Sequence, residues 1–283
     1  VQKFGFLAVF TLLVVCGCAA QSTTGVPGGV PPQQRRVVSL IPSLTEDLFA
    51  IGAGPQVVAV DQISAQLSPA RKLPIVGNFS SINTERIIAL HPDFVAAIPA
   101  QDRLLQPLSR AGIVHTLLRN DSFEDLFSDL ERLGALTGHI QSAQALEKRL
   151  RARTRLLTRS RHFKRVPSVF VVLDTSPIYT AGPRSYISTL IGLAGGRNAA
   201  QHLPSAYASY SAEALLRLQP DAIISDPSTH LEAVLANEPW RSLRAVSQHH
   251  VYIVDPADIL ERPGPRYNEG LAWLIARLAP LAK

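Results

Sequence analysis

Cysteine is nearly missing from this chain of 283 residues: there are two, Cys16 and Cys18, and both fall within the first twenty positions. A disulfide framework, a zinc-thiolate site and a cysteine nucleophile are therefore excluded for everything that follows. Catalytic signatures are missing as well. The chain has no G-x-S-x-G elbow, no G-x-x-x-x-G-K-[ST] phosphate loop and no H-E-x-x-H pair. The glycines of "GAGPQV" close a helical stretch, whereas a dinucleotide fingerprint must open one. No catalytic residue is assigned, and an α/β enzyme of unknown reaction is left as a distant alternative. Long apolar runs are also absent, since the longest, from Phe4 to Val15, is short of the roughly 20 residues that span a bilayer. What is present is a globular composition, with 46% hydrophobic and 18% charged residues, which excludes a disordered or fibrous chain.

The start, "VQKFGFLAVFTLLVVCGCAA", places Lys3 before the apolar run and small residues around the cysteines, the layout of a secretory signal. Its ending resembles a bacterial lipoprotein signal, in which a small residue precedes the cysteine that receives lipid. Gly17 followed by Cys18 fits that pattern better than Val15 followed by Cys16, so Cys18 is the expected lipidation site, with a plain signal peptide as the alternative. Residues 1–18 are read as the signal, and 19–35, rich in Gly, Pro and Ser/Thr, as a flexible tether. The expected location is the periplasmic side of a bacterial membrane, lipid-anchored after export.

The formal net charge is +6, and much of the excess lies in one run from Lys148 through Arg149, Arg151, Arg153, Arg155 and Arg159 to Arg165. No zinc-finger, RNA-recognition or helix-turn-helix pattern accompanies it, so nucleic acid is not an expected partner and the run reads as a solvated helix face. The eight histidines are scattered. His249 and His250 are adjacent but have no carboxylate cluster nearby, so no metal site is assigned.

The body alternates short aliphatic strands with amphipathic helices, which predicts an α/β fold with parallel sheets covered on both faces. In "RVVSLIPSLTEDLFAIGAG" a strand breaks at Pro42, Ser43 or Thr45 is the expected helix cap, and glycines end the helix. One phrase occurs twice. "TERIIALHPDFVAA" at 84–97 and "AEALLRLQPDAIIS" at 212–225 align Glu85 with Glu213, Leu90 with Leu218, Pro92 with Pro220 and Asp93 with Asp221. The helix endings "LFAIGAG" and "LIGLAGG" correspond too. This doubling predicts two Rossmann-like lobes, at 36–138 and 166–283. Between them, residues 139–163 contain neither Gly nor Pro and carry Ile140, Ala143, Leu146, Leu150, Thr154 and Leu157 at helical spacing. One long interlobe helix over 139–165, about 35 Å at 1.5 Å per residue, is expected, with a ligand cleft of limited opening between the lobes.

The opening strand and helix, the "VGNFSSINTERIIALHPDFV" block, the interlobe helix, the "ERPGPR" turn and the doubled Glu-x-x-x-x-Leu-x-Pro-Asp unit together resemble the solute-binding proteins of ABC importers for cobalamin and iron complexes. The resemblance covers residues 35–283. It implies a monomer without a cofactor that captures a small-molecule ligand between its lobes and delivers it to a permease dimer driven by an ATPase. It implies further that Glu85 and Glu213, one per lobe, dock onto arginines of the two permease subunits; as first-turn helix acids they also suit the macrodipole. Similarity to the cobalamin branch places Phe79, Tyr179 and Tyr207 against a corrin, and Arg262 and Arg266 in the turn after the late strand. The stretch 61–70 lacks the Asp-Tyr-Pro of that branch. Ferric siderophores, held by Arg184, Arg262 and Arg266, and haem, ligated by Tyr207, Tyr210 or His202, stay open as alternatives to a corrinoid.

Overall fold

A computed structural model describes residues 29–119, 121–159 and 164–283. Cys18, the signal segment 1–18 and the tether up to residue 28 lie outside the described residues. The first lobe runs β1 (Val37–Ser39), α1 (Pro42–Ala50), β2 (Val57–Val60), β3 (Gly77–Asn78), β4 (Ser81–Ile82), α2 (Thr84–Ala89), β5 (Phe94–Ala97), α3 (Asp102–Arg110), β6 (His115–Leu117) and α4 (Phe123–Thr137). Helix α5 (Ile140–Arg159) then leads to the second lobe. That lobe opens with β7 (Ser168–Val171), β8 (Asp174–Thr175), β9 (Ile178–Ala181), α6 (Tyr186–Leu193), β10 (Arg197–Asn198), β11 (Tyr207–Ser209) and α7 (Ala212–Leu218). It closes with β12 (Ala222–Ser225), α8 (Leu231–Val234), α9 (Arg244–Ser247), β13 (Val251–Ile253), α10 (Asp258–Glu261) and α11 (Tyr267–Leu278).

Each lobe is built on a four-stranded sheet, in the order β2-β1-β5-β6 in the first and β10-β7-β12-β13 in the second. All neighbours in both are parallel. Strands β1, β5, β7 and β12 are buried throughout, and apart from one terminal serine in each of β1, β7 and β12 they are made of Val, Ile, Phe and Ala, as helices covering both faces require. The repeated Pro-Asp has a common structural task. Asp93 Oδ2 accepts from the Arg36 N–H at 2.7 Å and Asp221 Oδ2 from the Ser168 N–H at 2.8 Å. In each lobe, therefore, a carboxylate leading into the third strand fastens the amino end of the first.

Two sequence expectations need correction. Helix α1 begins at Pro42 itself, with Ile41 as a cap that offers no side-chain bond. Proline's missing N–H costs nothing in a first turn and its fixed φ is already helical, so Ser43 and Thr45 fall inside the helix and neither caps it. Thr45 Oγ1 lies instead 2.7 Å from Ser39 Oγ and 2.9 Å from Ser64 Oγ, joining the carboxyl end of β1 to the segment after β2. The interlobe helix is also shorter than 139–165. Its described part, Ile140–Arg159, has 20 residues, about 30 Å, and residues 160–163 lie outside the described residues. It starts at Ile140 because Gly138 is in the left-handed region at φ 74°, which ends α4 and turns the chain. The sheets also carry antiparallel additions that the aliphatic pattern did not signal, the β3–β4 hairpin and a three-stranded sheet in the order β11-β9-β8.

The lobes share one core. Val37, Leu48 and Phe94 of the first belong to the same buried cluster as Val169, Tyr186 and Leu190 of the second, with Leu146 and Leu150 of α5 and Leu271 and Leu274 of α11. At the centre Phe123 lies edge-on to Phe127 and Tyr267, with centroids at 5.4 and 5.0 Å, and stacks on Tyr186. Asn268 Nδ2 donates to Leu150 O at 3.0 Å, tying α11 to α5. A junction packed in this way moves as a bistable or rigid unit rather than bending smoothly. Among the described residues the buried core lies wholly between Val37 and Ala282.

Candidate functional site

In sheets of this order the chain reverses direction between the first strand and the third, and ligands sit beyond the carboxyl ends of strands at that point. In the first lobe the point is marked by Ile41–Ser43, after β1. Facing it from the second lobe are Ala257, Asp258, Glu261 and Arg262, and the two sets line a cavity of about 270 Å³. That is less than a drug-sized pocket needs, so a bulky ligand would lie across its mouth rather than inside it.

A salt bridge crosses this cavity between the lobes. Arg262 Nη1 donates to Glu46 Oε1 of α1 at 2.6 Å, with side-chain exposures of 19% and 11%. Burial pushes the Glu46 carboxyl above its usual range even though Arg262 pulls it down, so desolvation outweighs the attraction at this site. Gly264 allows the chain to pass, since a Cβ there would stand 3.0 Å from Glu46 Oε2. Asp258 Oδ2 lies 3.5 Å from Arg262 Nη1 and 3.0 Å from Arg266 Nη1, and Arg266 Nη2 bonds Glu269 Oε2 at 2.8 Å. Both candidate arginines thus already have carboxylate partners. Ser43 Oγ and Asp258 Oδ1, by contrast, are buried with no hydrogen-bond partner among the described residues. The Glu261 carboxyl, also on the lining, is pushed up to about 8 by burial and by hydrogen bonding to Asp226 and that group's charge.

None of the three candidate aromatic residues is among those that line this cavity. Tyr179 pairs with Ser209 and Tyr207 with Ala181 in the antiparallel β9–β11 ladder, which puts both tyrosines on the same sheet face. Tyr179 is 37% exposed. Tyr207 is half-buried, its phenol pushed up to about 12 by burial and by Asp121, Glu261 and Tyr179. Asp121 precedes α4 in the first lobe, so Tyr207 stands where the lobes meet. Phe79, 56% exposed, occupies the turn of the β3–β4 hairpin. Asn78 Oδ1 accepts from the Ser80 and Ser81 N–H groups at 3.0 and 2.9 Å to shape this turn. Gly77, at φ 151°, is required there because a Cβ would collide with the Ser81 carbonyl. Gln101 Nε2, just beyond β5, donates to Phe79 O at 3.4 Å and holds the turn at the carboxyl edge of the first sheet.

Glu85 and Glu213 are both exposed, in the first turns of α2 and α7. Asn83 caps the first helix by accepting from the Arg86 N–H at 2.8 Å, and Ser211 caps the second from the Ala214 N–H at 3.1 Å. Each helix leads into the third strand of its sheet, so the carboxylates occupy equivalent places on the two lobes. The alternative residues lie elsewhere. Arg184 donates to the Pro204 carbonyl. Tyr210 is buried, its hydroxyl 3.2 Å from His202 Nε2 and its ring edge-on to Phe170. Among the described residues no group of three or more His, Cys, Asp or Glu could hold a metal ion.

Sequence reasoning did not single out Glu46, Glu261 or Asp226. The signal was an acid within an otherwise apolar helix, "SLTEDLF", and another opening the "ERPGPR" turn, each of which needs a partner if buried.

Residues 37–257 match the model of the periplasmic binding protein family. The chain belongs to that family. This binding protein is 30% identical over 262 residues to YvrC of Bacillus subtilis, an uncharacterized ABC transporter substrate-binding lipoprotein, with 89% of this chain and 82% of that one covered. Its fold superposes on the periplasmic vitamin B12-binding protein of Vibrio cholerae with a TM-score of 0.73, at 27% identity, covering 88% and 98% of the two chains. It also superposes on a periplasmic haem-binding protein of Pseudomonas aeruginosa with a TM-score of 0.76, at 29% identity, covering 88% and 94%. The two α/β lobes and the cavity between them are thus the architecture of a transporter's solute-binding protein, and the relatives carry different ligands on it.

Proposed function

We propose that this binding protein captures a corrinoid between its lobes and delivers it to an ABC permease and ATPase, held at the outer side of a membrane by lipid on Cys18. One observation carries the ligand assignment. Among the described residues only two aromatic side chains are more than a third exposed, Phe79 and Tyr179, and they come one from each lobe. Flat apolar faces on both sides of a cleft suit a macrocycle. Tyr207 extends the second face. Arg262 and Arg266 shape the cleft wall in this reading, and their pairing with Glu46, Asp258 and Glu269 leaves little positive charge for an anionic ferric chelate. A Tyr207 phenol pushed up to about 12 resists becoming the phenolate that would ligate ferric haem, and the burial of Tyr210 supports the same preference. Glu85 and Glu213 would address two permease subunits through charge-assisted bonds, one from each lobe.

Equilibrium dialysis of the body from Gly29 against cyanocobalamin, haemin and a ferric hydroxamate siderophore tests the assignment. Retention of the corrinoid alone, lost in Phe79→Ala with Tyr179→Ala, is the expected result. Retention of haemin or the siderophore in its place would overturn it.

A further inference from the structure

The outer arc of α5 is unlike the rest of the surface. Ala143, Leu146 and Leu150 bury one side of the helix against α4 and α11. At 100° per residue, Lys148, Arg155 and Arg159 point the opposite way, and Arg149 and Arg153 occupy one flank. Arg149, Arg153, Arg155 and Arg159 are exposed, as is Lys148, and none of the five forms an ion pair with a described carboxylate. The acid within the basic stretch of this helix, Glu147, is bound by Arg151 at 2.7 Å on the other flank. Among the cations stands Leu156, 58% exposed, on a helix that otherwise buries its leucines.

The first described residues are fastened near the amino end of α5. Arg35 Nη1 donates to Leu136 O at 2.8 Å, and Gln33 packs on Gly138, where any Cβ would overlap it. The body's first described turn is therefore fastened to the end of α4, two residues before α5 begins.

We propose that the outer arc of α5 is a docking surface for an anionic lipid bilayer, lying on phospholipid headgroups with Leu156 entering the interface. Clusters of four to eight basic side chains on one helix face are what anionic headgroups attract, and an apolar residue among them adds burial that a dissolved polyanion does not supply. The surface is separate from the interlobe cavity and makes no demand on the identity of the ligand.

Flotation of the body from Gly29 with vesicles tests this without any contribution from the leading segment. Vesicles of phosphatidylcholine containing phosphatidylglycerol should carry the protein at low salt, and vesicles of phosphatidylcholine alone should not. Binding should fall away near about 1 M salt, where the screening length shrinks to about 3 Å. Each cation near such a surface is worth roughly a fivefold gain in partitioning, so Arg155→Gln with Arg159→Gln should weaken binding roughly 25-fold. Leu156→Ser should weaken vesicle binding but leave retention on heparin unchanged. Equal binding to neutral vesicles, a double variant that floats like the parent, or a Leu156→Ser variant indistinguishable from the parent on vesicles would each overturn the proposal.

Discussion

Removing Glu46 should loosen the junction between the lobes more than its single contact suggests. Its carboxylate meets Arg262 at 2.6 Å with only 11% of its side chain exposed, so in Glu46→Gln the guanidinium keeps a weaker neutral acceptor and Asp258 at 3.5 Å. Breaking a buried pair by neutralising one partner costs about 3–5 kcal/mol when the remaining charge is stranded. Here Asp258 and partial solvent access to Arg262 reduce that, and about 2–3 kcal/mol is expected. Arg262→Met should cost less, since burial already raises the Glu46 carboxyl and the acid can escape its stranded charge by taking up a proton. Combining Glu46→Leu with Arg262→Met replaces both charges by apolar volume and should come within about 1 kcal/mol of the parent, far better than the single changes sum to. Urea unfolding at neutral pH reads all of these. With an m-value of about 3 kcal/mol/M, the Glu46→Gln midpoint should fall by roughly 1 M. A single variant within about 0.5 kcal/mol of the parent, or a double variant whose loss equals the sum of two large ones, would refute the claim that this pair is desolvated and coupled across the lobes.

Glu261 should make stability fall with rising pH. Folded, it keeps its proton to about 8, against 4.5 for an ordinary glutamate, so between those values the folded chain holds a proton that the unfolded chain has released. Stability from this group is complete below about 4.5 and is lost as pH climbs to about 8, by up to about 4 kcal/mol; thermal midpoints of Glu261→Gln should show a flatter pH profile over that range. Glu85→Ala with Glu213→Ala should abolish uptake by cells that depend on this importer while leaving ligand affinity unchanged, at a stability cost of about 0.3–1 kcal/mol each for the lost helix-dipole interaction. Uptake at the parent rate would remove the docking role. Because Phe123, Tyr186 and Tyr267 fuse the lobes, solution scattering should record nearly the same radius of gyration with and without saturating ligand. A large contraction would mean that the shared core opens.

The sequence carried the parts of the fold that depend on local regularity. The aliphatic runs at Val37, Phe94, Ser168 and Ala222 became the central parallel strands because a strand covered on both faces must be apolar throughout. The doubled Pro-Asp was visible as a repeat, but its task was not, because the bond from Asp221 to Ser168 spans 53 residues. The same distance effect hid the Glu46–Arg262 bridge, whose partners are 216 positions apart. The β8, β9 and β11 additions were missed because strands of two to four residues with polar members such as Asp174, Thr175 and Ser209 have no period to read. Phe79, Tyr179 and Tyr207 were named from resemblance alone. The structure places Phe79 and Tyr179 open to solvent, one on each lobe, and Tyr207 at the lobe junction.

The most direct test of the central claim is a calorimetric titration of the body from Gly29 with cyanocobalamin, run at two temperatures so that a silent enthalpy cannot be mistaken for no binding. Saturation at one corrinoid per chain with micromolar affinity or better is the result this account predicts. The absence of heat at both temperatures would contradict it and turn the search toward haem and ferric chelates.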